Sequence, residues 1–251
     1  MPEGHTLLRL ARELTQAFGG RPVRVSSPQG RFAADAALVD GALCIGAESA
    51  GKHLFIELAG MVSTGSTTGG TAYADLRGAT QCDLIGGERR AQIVAQLGED
   101  PLRPDADPER AWRRISRSAR PIGDLLMDQT VVAGVGNVYR AEILFRHRIH
   151  PLRPGRTLRR TQFLTLWADL VELMEYGVRT GRIDTVRPEH SPEAMGRPAR
   201  QDDHGGEVYV YRRQGQPCLV CGSRVRTDVL VGRNSFWCAR CQPVFRSRAV
   251  G

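Results

Sequence analysis

Pro121-Ile122-Gly123-Asp124-Leu125-Leu126-Met127-Asp128-Gln129, broken at Ala133-Gly134-Val135-Gly136 and resumed from Asn137-Val138 to Arg146, is the stretch that decides the fold of this 251-residue chain. Proline suits the first position of a helix, where its missing N–H costs nothing. The two glycines end that helix. Asn137 then reads as the N-cap of a second helix over 138–146, because its side chain can accept from an early backbone N–H. The result is a helix–turn–helix element with a helix N-terminus beside two glycines. Unsatisfied N–H groups and the helix dipole suit such an end to a phosphate.

Arginine clusters flank this element. Arg110, Arg113, Arg114, Arg117 and Arg120 precede it. Arg146, Arg148, Arg153, Arg156, Arg159 and Arg160 follow, with no acidic residue between Glu142 and Asp169. They read as a surface that tracks phosphates. The periodicity predicts a helical region over 109–182. Asp100 to Pro108, rich in proline and aspartate, reads as a linker. Residues 187–207, rich in Pro, Gly, Arg and Asp, read as a mobile loop.

Further along, Cys218-x2-Cys221 and Cys238-x2-Cys241 stand 16 residues apart. Paired knuckles at this spacing predict a four-thiolate zinc site. Four protein ligands leave no open coordination position, so the metal is expected to be structural. Between the knuckles a hairpin is expected over 224–237, turning near Val231-Gly232-Arg233-Asn234 and presenting Arg233 at its tip. Cys44 and Cys82 stand alone.

Towards the N-terminus, Leu7, Leu10, Ala11, Leu14 and Phe18 predict a helix over 3–18, ended by Gly19-Gly20. Residues 21–85 lean to strands, among them Pro22 to Ser26 and Lys52 to Leu58. The chain opens Met1-Pro2-Glu3-Gly4. Removal of Met1 would leave a secondary amine at a helix start. An α-amine has a pKa of about 8, so roughly a tenth is unprotonated at neutral pH. Such an amine can attack a sugar aldehyde carbon and form an iminium directly. Glu3 beside it could move protons.

Composition agrees with a nucleic-acid partner. There are 35 basic and 27 acidic residues, a net charge of +8 and a pI near 9.7. All the basic residues but Lys52 are arginine. Guanidinium is planar and holds its proton, so Lys52 is marked for proton transfer or a compact phosphate contact. No run approaches the roughly 18 apolar residues of a membrane span. The N-terminus does not read as a secretory signal, and a cytoplasmic, nucleoid-associated protein is expected.

Taken in order, Met-Pro-Glu-Gly, Gly51-Lys52-His53-Leu54, Asp128-Gln129, Ala133-Gly134-Val135-Gly136-Asn137, and Gly232-Arg233 before Phe236-Trp237-Cys238-x2-Cys241-Gln242 resemble the formamidopyrimidine-DNA glycosylase / endonuclease VIII family over nearly the whole chain. The start and Gly-Lys-His-Leu look closer to endonuclease VIII-like proteins, the actinobacterial members in particular. The resemblance implies an α+β protein with three domains. These would be a β-sandwich with a leading helix (1–107), a helix–two-turn–helix domain (108–207) and a zinc finger (208–251). It implies base excision repair: removal of oxidised bases, with pyrimidines expected from the branch, then β/δ-elimination at the abasic site. Pro2 would be the Schiff-base nucleophile and Glu3 the proton donor. Lys52 would contact phosphate or assist proton transfer. Asn137 and Arg233 would bind the phosphates flanking the lesion, with Arg233 held by zinc. Damaged DNA is the implied partner, and a monomer suffices to clamp it.

The resemblance fails at 59–74. Here a Ser/Thr/Gly-rich segment stands where family members carry a longer β segment that fills the gap left by a flipped base. Gly78-Ala79-Thr80 also lacks the Arg-Phe pair that some members use as a wedge. Single-stranded or abasic substrates are therefore expected to be favoured over duplex lesions. The alternatives are a lyase without base excision, or a module that binds damaged DNA without cutting it.

Overall fold

The computed structural model describes residues 2–60, 71–77, 81–201 and 206–246. The expectations placed on 61–70 and 78–80 lie outside these residues. The chain divides into two compact units, Met1–Leu97 and Gly98–Gly251.

In the first unit, helix α1 (Gly4–Phe18) leads into an antiparallel sheet of five strands in sequential order. The strands are β1 (Arg21–Pro22), β2 (Leu43–Ala50), β3 (His53–Ala59), β4 (Thr71–Arg77) and β5 (Gln81–Gly86). Helix α2 (Ala33–Val39) lies between β1 and β2, and α3 (Gly87–Gln96) follows β5. Alternation along β3 sorts the core onto two faces. Leu54 packs with Leu7 and Ala11 of α1. Phe55, pointing the other way, packs with Ala50 and with Ile93 of α3. Strand β1 pairs only Arg21 with Cys44 and Pro22 with Leu43. Beyond it, the edge of β2 is closed by the Thr15 hydroxyl, which donates to Ala47 O at 3.1 Å and accepts from Ala47 N at 2.8 Å.

Two expectations need correction here. The strand expected at 22–26 stops at Pro22. Val23 N then bonds to Ala42 O, and Val25 N to the Asp40 carboxylate at 2.8 Å. Within the region read as strands, residues 33–39 form a helix whose Ala36 and Val39 are buried. Its alanine-rich sequence favours a helix once there is a face to bury.

The second unit holds α4 (Pro108–Ile115), α5 (Ile122–Leu125), α6 (Asn137–Arg146), α7 (Arg160–Thr180), α8 (Pro192–Met195) and a hairpin, β6 (Val225–Leu230) with β7 (Arg233–Cys238). Helix α6 is its axis. Every residue from Val138 to Phe145 is buried, so it carries no polar face. Residues 98–107 do not act as a free linker. Gly98 N bonds to Gln129 O and Ala133 N to Glu99 O. Asp107 N bonds to the Glu99 carboxylate, and Asp107 caps α4 by accepting from Glu109 N. The acids that suggest a linker are the acceptors that fix it. Among the described residues, no helix is long and apolar enough to cross a membrane.

Candidate nucleic-acid interface and zinc centre

In the first unit, Pro2 is half-buried and Glu3 is buried at 5% exposure. Glu3 is the N-cap residue of α1. Its carbonyl accepts from Thr6 N at 3.0 Å, and its side chain does not cap. Pro2 therefore stands directly before the positive end of a helix. His5, which sequence reasoning does not single out, is also buried. Burial, reinforced by Arg9, lowers its pKa to about 4. The imidazole next to the candidate nucleophile is thus neutral at pH 7.

Gly51 and Lys52 form the two-residue turn between β2 and β3, closed by the pair Ala50–His53. Gly51 has φ +57° and Lys52 a negative φ, the pattern of a turn that needs glycine first. Lys52 is thereby held at a fixed tip of the two strands on which α1 lies. The neighbouring His53 turns to the other side. Its Nδ1 meets Asp75 Oδ1 at 2.9 Å, and its ring stacks on Phe55 at 5.6 Å. Asp75 is fully buried and also faces Arg77 at 3.4 Å.

In the second unit, Gly136 is the N-cap of α6, and Asn137 is its first residue. The expected cap fails because the Asn137 amide is engaged elsewhere. Its Nδ2 donates to Asn234 O at 3.0 Å, and its Oδ1 accepts from Arg140. Gln129 fixes the glycine turn instead. It accepts from Gly134 N at 3.0 Å and donates to Val135 O and Met127 O. The hairpin turns at Val231 (φ +49°) and Gly232 (φ +70°), and the closing pair is Leu230–Arg233. Arg233 is exposed there, beside the Asn234 whose carbonyl holds Asn137. The two residues expected to grip phosphate are thus joined through the hairpin backbone.

The four cysteines converge, with all ligand atoms within 4.8 Å of one another. Cys218–Cys241 and Cys221–Cys238 sulfurs are 3.8 and 3.5 Å apart. Thiolates about 2.3 Å from a tetrahedral zinc stand roughly 3.8 Å from each other, so the set fits the ion. Gln242, fully buried, accepts from Cys238 N at 3.0 Å and donates to Ile149 O at 2.8 Å. It ties the second knuckle to the turn after α6.

Many of the clustered arginines already have partners within the chain. Arg146 grips Asp169 at 2.6 Å and Thr185 O at 2.6 Å. Arg120 bridges Asp124 and Asp128. Arg160 pairs with Glu109, Arg110 with Glu99, and Arg114 donates to Thr130 O. Sequence proximity hides these partners because most lie far along the chain.

The segment expected to be a mobile loop is likewise tied down on both sides of 202–205. The carboxylate of Glu142, buried in α6, accepts from Thr185 Oγ1 and Tyr209 N at 2.6 Å and from Val210 N and Tyr211 N at 2.8 Å. Glu207 adds Arg197 at 2.6 Å and accepts from Arg200 N. An acid, with Arg140 the one other charged residue, inside the otherwise uncharged run Val138 to Phe145 is the signal the sequence offers.

Comparison with known proteins agrees with this anatomy. The family described as formamidopyrimidine-DNA glycosylase H2TH domain matches residues 97–188, and the zinc finger found in FPG and IleRS matches 215–244. The chain is 49% identical over 272 aligned positions to Endonuclease 8 1 of Mycobacterium tuberculosis (strain H37Rv), covering 96% of this chain and all of that one. It is 33% identical over 175 positions to a formamidopyrimidine-DNA glycosylase of Synechococcus, covering 68% and 60%. The crystal structure of MutM (Fpg) from Thermus thermophilus superposes with a TM-score of 0.69 at 28% identity, covering 96% of this chain and 98% of that one. The Lactococcus lactis Fpg complex with DNA containing an abasic site shares the fold, with a TM-score of 0.72 at 19% identity over 96% and 100%. The mycobacterial alignment runs longer than this chain, so that relative carries residues absent here.

Proposed function

The chain belongs to the formamidopyrimidine-DNA glycosylase / endonuclease VIII family, and from that membership we propose that it is a bifunctional DNA glycosylase and abasic-site lyase of base excision repair. The observation that carries the reading is the start of the first unit. A potential α-amine at Pro2 precedes a helix N-terminus, with Glu3 buried beside it, and the only lysine of the chain sits on a fixed turn of the strands beneath that helix.

In this reading the damaged nucleotide is swung out of the stack. The unprotonated Pro2 nitrogen attacks C1′ as the bond from C1′ to the base breaks, and the nitrogen's proton leaves with the base. Glu3 then gives its proton to O4′ as the C1′–O4′ bond opens, so that C1′ becomes an iminium. The iminium acidifies the C2′ proton. Loss of that proton breaks the C3′–O bond and expels the 3′ phosphate, and the 5′ phosphate follows by δ-elimination. Lys52 serves as a compact cation or proton carrier at the flanking phosphate. Asn137 and Arg233 hold phosphates next to the lesion. The zinc, closed by four thiolates, keeps the hairpin that bears Arg233 in shape. Oxidised pyrimidines are the proposed bases, and single-stranded or abasic substrates are favoured because the 59–74 segment is short.

The test is borohydride trapping on an abasic-site oligonucleotide, using untagged protein with a processed N-terminus. A covalent adduct that maps to Pro2, is lost in Pro2→Gly and is altered in Glu3→Gln is expected. Normal DNA binding with no adduct would leave only a binding module. Equal or faster excision from duplex than from single strands would remove the substrate preference.

A further inference from the structure

Arg140 is the most deeply buried cation among the described residues of the second unit, at 1% exposure in the first turn of α6. Its Nη2 donates to Asn137 Oδ1 and to Asn234 O, the latter at 2.9 Å. Its Nη1 approaches Gly123 O of α5 at 3.5 Å. One guanidinium therefore spans α5, α6 and β7. Asn234 O receives both Arg140 and Asn137 Nδ2, so three groups close on one another beside Arg233.

A second observation shows that this seat is shaped for the hairpin. A Cβ on Gly123 would lie 3.0 Å from Leu230 Cδ2 and 3.0 Å from Pro151 O. Leu230 is the partner of Arg233 at the end of the hairpin. The absent side chain lets the hairpin tip settle on α5, next to the carbonyl that Arg140 approaches.

We propose that Arg140 is a positioning residue for phosphate binding, an inference that rests on the phosphate role given above to Asn137 and Arg233. An amide can present either its oxygen or its nitrogen to a ligand. With Oδ1 on a cation and one N–H on Asn234 O, the remaining edge of Asn137 is an N–H donor, the only edge a phosphate accepts. The same contact fixes the backbone beside Arg233. Arg140 also places a positive charge behind the helix N-terminus, adding to its dipole. Lysine can replace it only in part, because one ammonium at the place of Nη2 leaves no second arm to reach Gly123 O as the planar fork does.

The experiment uses the full zinc-loaded chain and an oligonucleotide with a tetrahydrofuran abasic analogue. Binding is read by fluorescence anisotropy over a range of salt for wild type, Arg140→Met, Arg140→Lys, Asn137→Ala and the Arg140→Met/Asn137→Ala double variant. Metal content and thermal melts verify the fold. Arg140→Met is expected to weaken binding on the order of tenfold, the scale of one charge-assisted hydrogen bond. Arg140→Lys should recover only part of this loss. The double variant should bind little worse than either single one, since both remove the same oriented amide. Additive losses, or wild-type affinity in a folded Arg140→Lys, would overturn the inference. A wild-type chain that binds DNA but forms no borohydride adduct would refute the lyase reading and leave this comparison intact. A chain that does not bind abasic DNA at all would remove the phosphate site and Arg140's role with it.

Discussion

Replacing Glu142 with glutamine should be the most damaging isosteric change in the second unit. Each carboxylate oxygen takes two donors: Oε1 those of Val210 and Tyr211, Oε2 those of Thr185 and Tyr209. Glutamine keeps one oxygen and turns an NH2 group towards the other two donors. Hydrogen bonds to a charged acceptor are worth about 1.5–3 kcal/mol each, and a buried donor left without one costs about 1–3 kcal/mol. Two bonds are lost and two weakened. Partial relaxation brings the total to about 3–5 kcal/mol, the usual cost of breaking a buried charged network. At about 2–4 °C per kcal/mol for a unit of this size, the melting temperature should fall by roughly 10 °C. Trp112, Trp167 and Trp237, the only tryptophans, all lie in this unit, so their fluorescence reports it selectively. Hydrogen exchange supplies the local reading, with the amides of Tyr209, Val210 and Tyr211 losing protection first. Thr185→Val, which removes one donor, calibrates the series at about 1–2 kcal/mol. A Glu142→Gln protein that melts within about 2 °C of wild type with those amides still protected would refute the reasoning.

Three further outcomes are expected. Folded His5 titrates near 4, below its ordinary 6.5. The fold favours the neutral ring, so its contribution is complete above pH 6.5 and is lost as the pH falls towards 4. The loss amounts to about 3 kcal/mol, and His5→Gln should flatten the stability profile in that window; an unchanged profile would show that the ring charges without penalty. Gly51→Ala forces a side chain into the left-handed region at φ +57°. It should cost about 1 kcal/mol and, by displacing Lys52, slow borohydride trapping more than it weakens DNA binding; equal effects would separate Lys52 from the chemistry. Cys221→Ser should abolish stoichiometric zinc and weaken DNA binding by about tenfold or more, because the hairpin loses its metal anchor; zinc-free protein with wild-type affinity would detach the metal from the grip on DNA.

What the sequence reveals and what it conceals follow from the range of the interactions involved. The zinc knuckles, the hairpin with its turn at Val231-Gly232 and helix α1 are set by spacing within a few residues, and each is legible. Residues 33–39 read as strand because a seven-residue helix has too few turns to show a period. Asn137 reads as a cap on a rule that assumes an unengaged side chain, and the chain supplies Asn234 O and Arg140 instead. Residues 100–108 and much of 187–207 have the composition of loose chain. Their acids and arginines find backbone and side-chain partners in the folded unit, such as Glu207 for Arg197 and for Arg200 N. Of the residues proposed for chemistry, the motif around Pro2 and Lys52 can be read directly. The structural roles of His5, Arg140 and Glu142 cannot, because each acts through burial or contacts with other elements.

The arginine excess has a structural meaning that net charge conceals. The second unit contains long irregular stretches whose carbonyls lack helix or sheet partners, and such groups are costly when buried unpaired. Arginine forks meet many of them. Arg213 donates to Tyr209 O and Pro217 O, Arg224 to Gly215 O, Arg146 to Thr185 O, and Arg140 to Asn234 O. A planar group with five donors can serve a carboxylate and a carbonyl at once, as Arg146 does, whereas an ammonium group offers no such fixed fork. Much of the positive charge of this unit therefore serves as a scaffold for loops, paired with carboxylates or carbonyls. The lone lysine follows the opposite logic. It lies on a two-residue turn between paired strands, where the backbone is fixed and needs no fork. In the reaction proposed above, lysine supplies a compact charge with a removable proton at that position.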